Sequence, residues 1–160
     1  MNKLLLIDEK FLEKDECESI INHYKFNNSF DPKHINERIK KAISDNFSTD
    51  FNGFFLDGPF DVQFDEYKKN KGYVDFKSDN NKLNYITFVI QLNDDYEKGY
   101  LQFTYKEETE HIQIQRELGL LIVHFSSLKH RKIPVSKGTK YTLTGFFRLK
   151  KKEEAKQNLI

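Results

Sequence analysis

Three residue types in this chain could do chemistry together: carboxylates, imidazoles and buried amines. The stretch KGYVDFKSDNN carries Asp75, Lys77 and Asp79 at alternate positions. If that stretch is a regular strand, all three side chains point the same way. A metal site favours His-x-Asp at such a place, and this chain has Lys-x-Asp. Late in the sequence His130 follows the apolar run LLIVHF, Lys140 stands ten residues further on, and Thr142 shares the face of Lys140. Taken singly, a loop histidine or a lysine at a strand start is usually just solvated surface. His124, six residues before His130, reads more readily as a packed or surface strand histidine than as a ligand.

Lys77 cannot bind a metal while protonated, because an ammonium has three donors and no acceptor. Removing its proton at pH 7 costs roughly 4–5 kcal/mol from an unperturbed pKa near 10.4. Beside Asp79 it is placed to pair with the carboxylate and take the place of a cation. No histidine lies between Glu37 and Glu110, so a shift of register cannot put an imidazole there. Asp75 is the further candidate, giving an Asp/Asp/His set.

The elements that would position these residues follow from the period of the apolar positions. Residues 3–7 read as a first strand. Cys17, Ile20, Ile21 and Tyr24 recur at helical spacing, with Asp15 as N-cap, so residues 16–24 form a helix. Asp31 caps a second helix that begins at Pro32 and buries Ile35, Ile39, Ile43 and Phe47. The period then shortens to two. Strands are expected over 60–67 (Val62 and Phe64 inward), 73–79, 83–92 as the central strand, 101–105, 111–115 (Ile112 and Ile114 inward), 120–125 and 140–149. Two helices followed by seven or eight short, ring-rich strands give a mainly β sandwich or barrel.

Composition narrows the function classes. The 160 residues suggest one domain over 1–149, with a charged tail over 150–160. A net charge of +1 gives no footprint for nucleic acid. Cys17 is the only cysteine, so no internal disulfide or cysteine zinc cluster forms. It is expected to be inert on its helix. The opening apolar run is too short for a secretion signal or a membrane span, which suggests a cytoplasmic protein with no membrane partner. No glycine-rich phosphate loop is present.

Four segments in order resemble the iron(II)- and 2-oxoglutarate-dependent oxygenases of the prolyl 4-hydroxylase type: FLEKDECESII, YKKNKGYVDFKSDN, YITFVIQLNDDYEKGYLQF and GLLIVHFSSLKHRKIPVSKGTKYTLTGFFR. The resemblance spans residues 5–149. It implies a double-stranded β-helix, a jelly-roll or cupin-like fold, behind N-terminal helices. It implies Fe(II) on two histidines and a carboxylate, and 2-oxoglutarate as co-substrate. Ascorbate use is left open. By the resemblance Asp79 is the carboxylate ligand and His130 the distal histidine, with Lys77 in the place of the first histidine. Lys140 and Thr142 hold the far carboxylate of oxoglutarate. Asn84 and Gln91 fall where relatives keep an arginine and a tyrosine. The substrate would be a peptidyl residue, proline among the candidates, or a small molecule, chosen by the loops SFDPKH, STDFNGFFLDG and DDYEKG. An oxygenase with an altered metal site and a silent relative that binds a protein or a carboxylate both remain open, the latter with no cofactor.

Overall fold

The computed structural model describes residues 5–47, 53–79, 84–105 and 110–152. The chain order is β1 (Leu5–Asp8), α1 (Lys14–Phe26), α2 (Pro32–Phe47), β2 (Phe54–Tyr67), β3 (Tyr73–Lys77), β4 (Tyr85–Gln91), β5 (Glu97–Lys98), β6 (Leu101–Tyr105), β7 (Glu110–Gln113), β8 (Leu121–Phe125), β9 (His130–Lys132), β10 (Val135–Lys137) and β11 (Lys140–Lys151). A five-stranded sheet has the order β1-β8-β4-β11-β2, a four-stranded sheet the order β3-β9-β6-β7, and β5 and β10 form a small third pair. All of these named strand pairs are antiparallel. The two larger sheets face one another as a double-stranded β-helix, with the helices on the outer face of the five-stranded sheet.

Alternation decides which side chains reach the interior. On β4, Ile86, Phe88 and Ile90 turn outward to the helices and pack with Cys17, Ile20, Ile35, Ile39 and Ile43. Their neighbours Thr87, Val89 and Gln91 turn inward. On β8, Leu121 and Val123 join the helical layer. Ile122 enters the inter-sheet core with Val89, Leu101 and Phe103. His124 is in phase with Ile122, so the strand delivers an imidazole to the same interior. A continuous apolar run is what a strand covered on both faces requires.

The helices form as their sequences demand, with shifted ends. α1 begins before the expected residue 16: its N-cap is Glu13, whose N–H donates to the Glu16 carboxylate at 3.0 Å. The Asp31 carboxylate accepts the Lys33 N–H at 3.0 Å and Pro32 opens α2. Arg38 ties the helices together through Glu16 and the Phe11 carbonyl. Ile35, Ile39 and Ile43 are buried, whereas the Phe47 side chain lies outside the described residues, as does residue 83 of the expected central strand.

Ile112 departs from its expected inward position. It is 39 % exposed, while Ile114 is buried. β7 is the edge of the smaller sheet and ends at Gln113, so the strand's alternation does not carry through to Ile114. β11 continues to Lys151, past the boundary expected at 149. Residues 153–160 of the expected tail lie outside the described residues. One glycine fixes a close approach: at Gly119, with φ +81°, an added Cβ would sit 2.0 Å from the Leu12 carbonyl oxygen. The chain before α1 meets the turn that leads into β8 there, and Leu12 N–H donates to the Gly119 carbonyl at 3.1 Å.

Candidate metal centre

Asp79 lies just past the end of β3. Its N–H donates to the Ser126 carbonyl at 2.8 Å, and the Ser126 N–H donates to the Tyr85 carbonyl at 2.9 Å. These bonds pin the carboxylate against the ends of β4 and β8. Thr87 Oγ1 donates to Asp79 Oδ2 at 2.8 Å and also lies 2.8 Å from Ser126 Oγ. The carboxylate is 27 % exposed and faces two buried imidazoles. His130 Nε2 is 3.2 Å from Oδ1, and His124 Nε2 is 4.0 Å from Oδ2.

The outer nitrogens of both rings are committed to backbone carbonyls. His124 Nδ1 bonds the Phe125 carbonyl at 2.7 Å, and His130 Nδ1 bonds the Leu128 carbonyl at 3.1 Å. A carbonyl only accepts, so each Nδ1 donates its N–H and leaves Nε2 aimed at Asp79. This is the arrangement that orients metal-binding histidines. Phe103 packs against both rings, with centroids 4.8 Å from His124 and 5.8 Å from His130.

The electrostatics agree with a site built for a cation. Burial drives the His124 pKa down to about 4, with the nearby His130 adding to the effect, so the ring is neutral near pH 7. Burial alone would raise the Asp79 pKa. The hydrogen bond and charge of His130, then His124 and the Thr87 hydroxyl, outweigh it and hold the carboxyl below its ordinary value. One donor atom from each of Asp79, His124 and His130 fits within a 4.8 Å spread. Two imidazoles and one carboxylate on one side of a cation, at bonds of about 2.0–2.2 Å, is the ligand set of non-haem iron(II) sites.

This corrects the expected metal set. The site is not an altered one with lysine in place of a histidine: its two histidines are His124 and His130, and His124 comes from β8. Lys77 is exposed on β3, opposite His130 in the strand register. Asp75 is also exposed on β3 and is not part of the cluster.

Deeper in the interior is a second polar group. Lys140, at the start of β11, is only 4 % exposed and sits opposite Tyr67 of β2. Its Nζ donates to the Gly99 carbonyl at 2.8 Å. Burial, and then the charge of Lys132, pull its pKa to about 7. Thr142 is buried and paired with Gln91 in register. Its Oγ1 neighbours the Tyr67 hydroxyl without a hydrogen bond of good geometry. Gln91, buried and inward from β4, is tied to a loop, its Oε1 accepting the Glu117 N–H at 2.9 Å. Asn84 offers its backbone carbonyl to the Leu149 N–H at 2.8 Å. The charge of Asp79 is felt at Tyr67 and that of Lys132 at His124, so the two polar groups share one interior.

A cavity of about 480 Å³ opens beside Asp79, lined by Phe60, Asp61, Tyr85, Phe146 and Arg148. Asp61 has φ +50°, at the irregularity where β2 and β11 shift register. A β-bulge of this kind re-aims side chains beside a site.

Residues 60–148 match the 2OG-Fe(II) oxygenase superfamily, a span that holds Asp79, His124, His130 and Lys140. Among solved structures, a prolyl-4-hydroxylase from Pseudomonas putida is 17% identical, with 90% of this chain and 84% of that one covered and a TM-score of 0.65. A Trichoplax adhaerens prolyl hydroxylase, in complex with a hypoxia inducible factor oxygen degradation domain peptide fragment, is 16% identical over 90% and 83%, with a TM-score of 0.69. A viral collagen prolyl hydroxylase from Paramecium Bursaria Chlorella virus-1 is 17% identical over 90% and 88%, with a TM-score of 0.61. No curated protein matches the chain significantly by sequence. With more than half its length matched and two imidazoles and a carboxylate converging inside the barrel, the chain belongs to the 2OG-Fe(II) oxygenase superfamily.

Proposed function

We propose that this chain is an iron(II)- and 2-oxoglutarate-dependent hydroxylase of a protein or peptide side chain. The observation that carries the reading is the convergence of Asp79, His124 and His130 with both imidazoles presenting Nε2. Iron(II) on this triad, with 2-oxoglutarate and oxygen, would supply the oxidising power to hydroxylate a carbon, releasing succinate and carbon dioxide. The chain's own residues do the rest. Thr87 fixes the rotation of the Asp79 carboxylate. Val89, Leu101, Phe103 and Ile122 line the inter-sheet core beside it and exclude water. Lys140 and Thr142 offer donors to the far carboxylate of the oxo acid. Thr142 Oγ1 and Tyr96 Oη are buried oxygens without a partner among the described residues, so the interior has donors to spare for an anion.

The cavity beside Asp79 is the substrate's place. Its aromatic walls suit an apolar side chain, and Asp61 and Arg148 can bond backbone amides and carbonyls on either side. The peptide bound by the Trichoplax relative supports a peptide over a small molecule. The test is succinate formation from 2-oxoglutarate with Fe(II) and a peptide mixture, followed by mass spectrometry for a gain of one oxygen. Turnover is expected from the native protein and is abolished in His124→Ala. Full turnover in His124→Ala, or none from metal-loaded native protein, would overturn the reading.

A further inference from the structure

Two amines, Lys140 buried and Lys132 half-buried, meet at one ring where the far carboxylate of an oxo acid needs one. Lys132, on β9, sends its Nζ to donate to the Tyr67 hydroxyl, 4.8 Å from that ring's centroid. Lys140 approaches the same ring from β11, its Nζ 5.5 Å from the centroid. Neither has a carboxylate partner among the described residues. When both amines are protonated they repel each other around one buried ring, and Lys140 loses its hydration, an arrangement that is costly until an anion completes it.

The hydrogen-bond inventory points the same way. Each amine, when protonated, has three N–H donors and spends one, on the Gly99 carbonyl or the Tyr67 oxygen. Burial, with the charges of Asp65 and Asp79, keeps the Tyr67 hydroxyl protonated, so it too donates. The Thr142 hydroxyl is unpartnered beside it. Donors from two facing sheets therefore outnumber the acceptors among them. An acceptor-only group, a carboxylate, supplies what is missing.

We infer that Lys132 is a positioning residue for the co-substrate, holding the far carboxylate of a 2-oxo diacid from the β9 side while Lys140 and Thr142 hold it from β11. The inference rests on the oxo-acid reading of the site. It makes the pocket selective by charge. Diacids such as 2-oxoglutarate and succinate engage both amines, whereas a monoacid such as 2-oxobutyrate has nothing to offer Lys132.

The test is ligand-induced thermal stabilisation of the Mn(II)-loaded protein by 2-oxoglutarate, succinate and 2-oxobutyrate. Lys132→Met should weaken both diacids roughly tenfold to a hundredfold, the range for hydrogen bonds to charged groups. It should leave 2-oxobutyrate unchanged. It should also raise the melting temperature without ligand, since one of two crowded charges is gone. A lysine with only a structural role would lower that melting temperature and spare the diacid preference. Lys132→Gln gives the same readout if the methionine variant does not fold, and Lys132→Arg should restore diacid binding. Equal diacid binding by native and Lys132→Met protein overturns the inference and leaves the oxo-acid reading standing. No stabilisation of the native protein by any diacid overturns the oxo-acid reading itself.

Discussion

His124 is neutral because it is buried, and that has a consequence for the metal-free protein. Its pKa falls from the ordinary 6.5 to about 4 on folding. Between those values the unfolded chain takes up a proton that the folded ring refuses. This contribution to stability is present above pH 6.5 and is lost as pH falls toward 4, by up to about 3 kcal/mol. Denaturant unfolding of the metal-free protein at pH 7.5 and 4.5 should show that loss, and His124→Gln should show less of it. An equal loss in both proteins would contradict the account. Asp79 and His130 were legible from sequence, because motif spacing and order single them out. His124 was not, because an imidazole within a strand covered on both faces has no spacing signal of its own. The available clue was phase: His124 alternates with Leu120 and Ile122, yet only the sheet pairing shows that this face, opposite Thr87, is the inner one. Lys132 was missed for a related reason, since HRK reads as loop and becomes β9 only through pairing with β3 and β6.

At the scale of elements, two isoleucines separate core from edge. Ile39 of α2 is fully buried against the five-stranded sheet, whereas Ile112 of β7 is 39 % exposed. Ile39→Ala should cost about 2–5 kcal/mol by leaving a cavity. Ile112→Ala should stay within about 0.5 kcal/mol, as surface changes usually do. Denaturant midpoints for the two variants check this, and similar losses would mean that the layering is wrong. Most of the long strands and both helices were legible because their apolar positions repeat with a period of two or near four, but residues 54–59 of β2, expected as loop or turn, pair with β11 as strand. The short strands β5, β9 and β10 were not, because two or three residues hold no period. They exist through partners distant in sequence, such as Val135 opposite Lys98.

The whole molecule is three layers: helices, a five-stranded sheet and a smaller sheet, with the polar interior between the sheets. The outer layer supplies apolar burial, each fully covered isoleucine worth about 1.5–3 kcal/mol. That stability lets the inner layer hold a carboxylate and two imidazoles together, with two amines around the Tyr67 ring. Among the described residues no helix is long and apolar enough to cross a membrane. A divalent metal is expected on Asp79, His124 and His130, with Lys77 outside the set. Anaerobic calorimetric titration of Mn(II) into native, His124→Ala and Lys77→Ala proteins tests this. Removing a ligand should cost more than the roughly 10–100-fold that loss of a ligand's supporting partner costs. One site is expected in the native protein, with its loss in His124→Ala and its retention in Lys77→Ala. Unchanged affinity in His124→Ala, or loss of the site in Lys77→Ala, would contradict it.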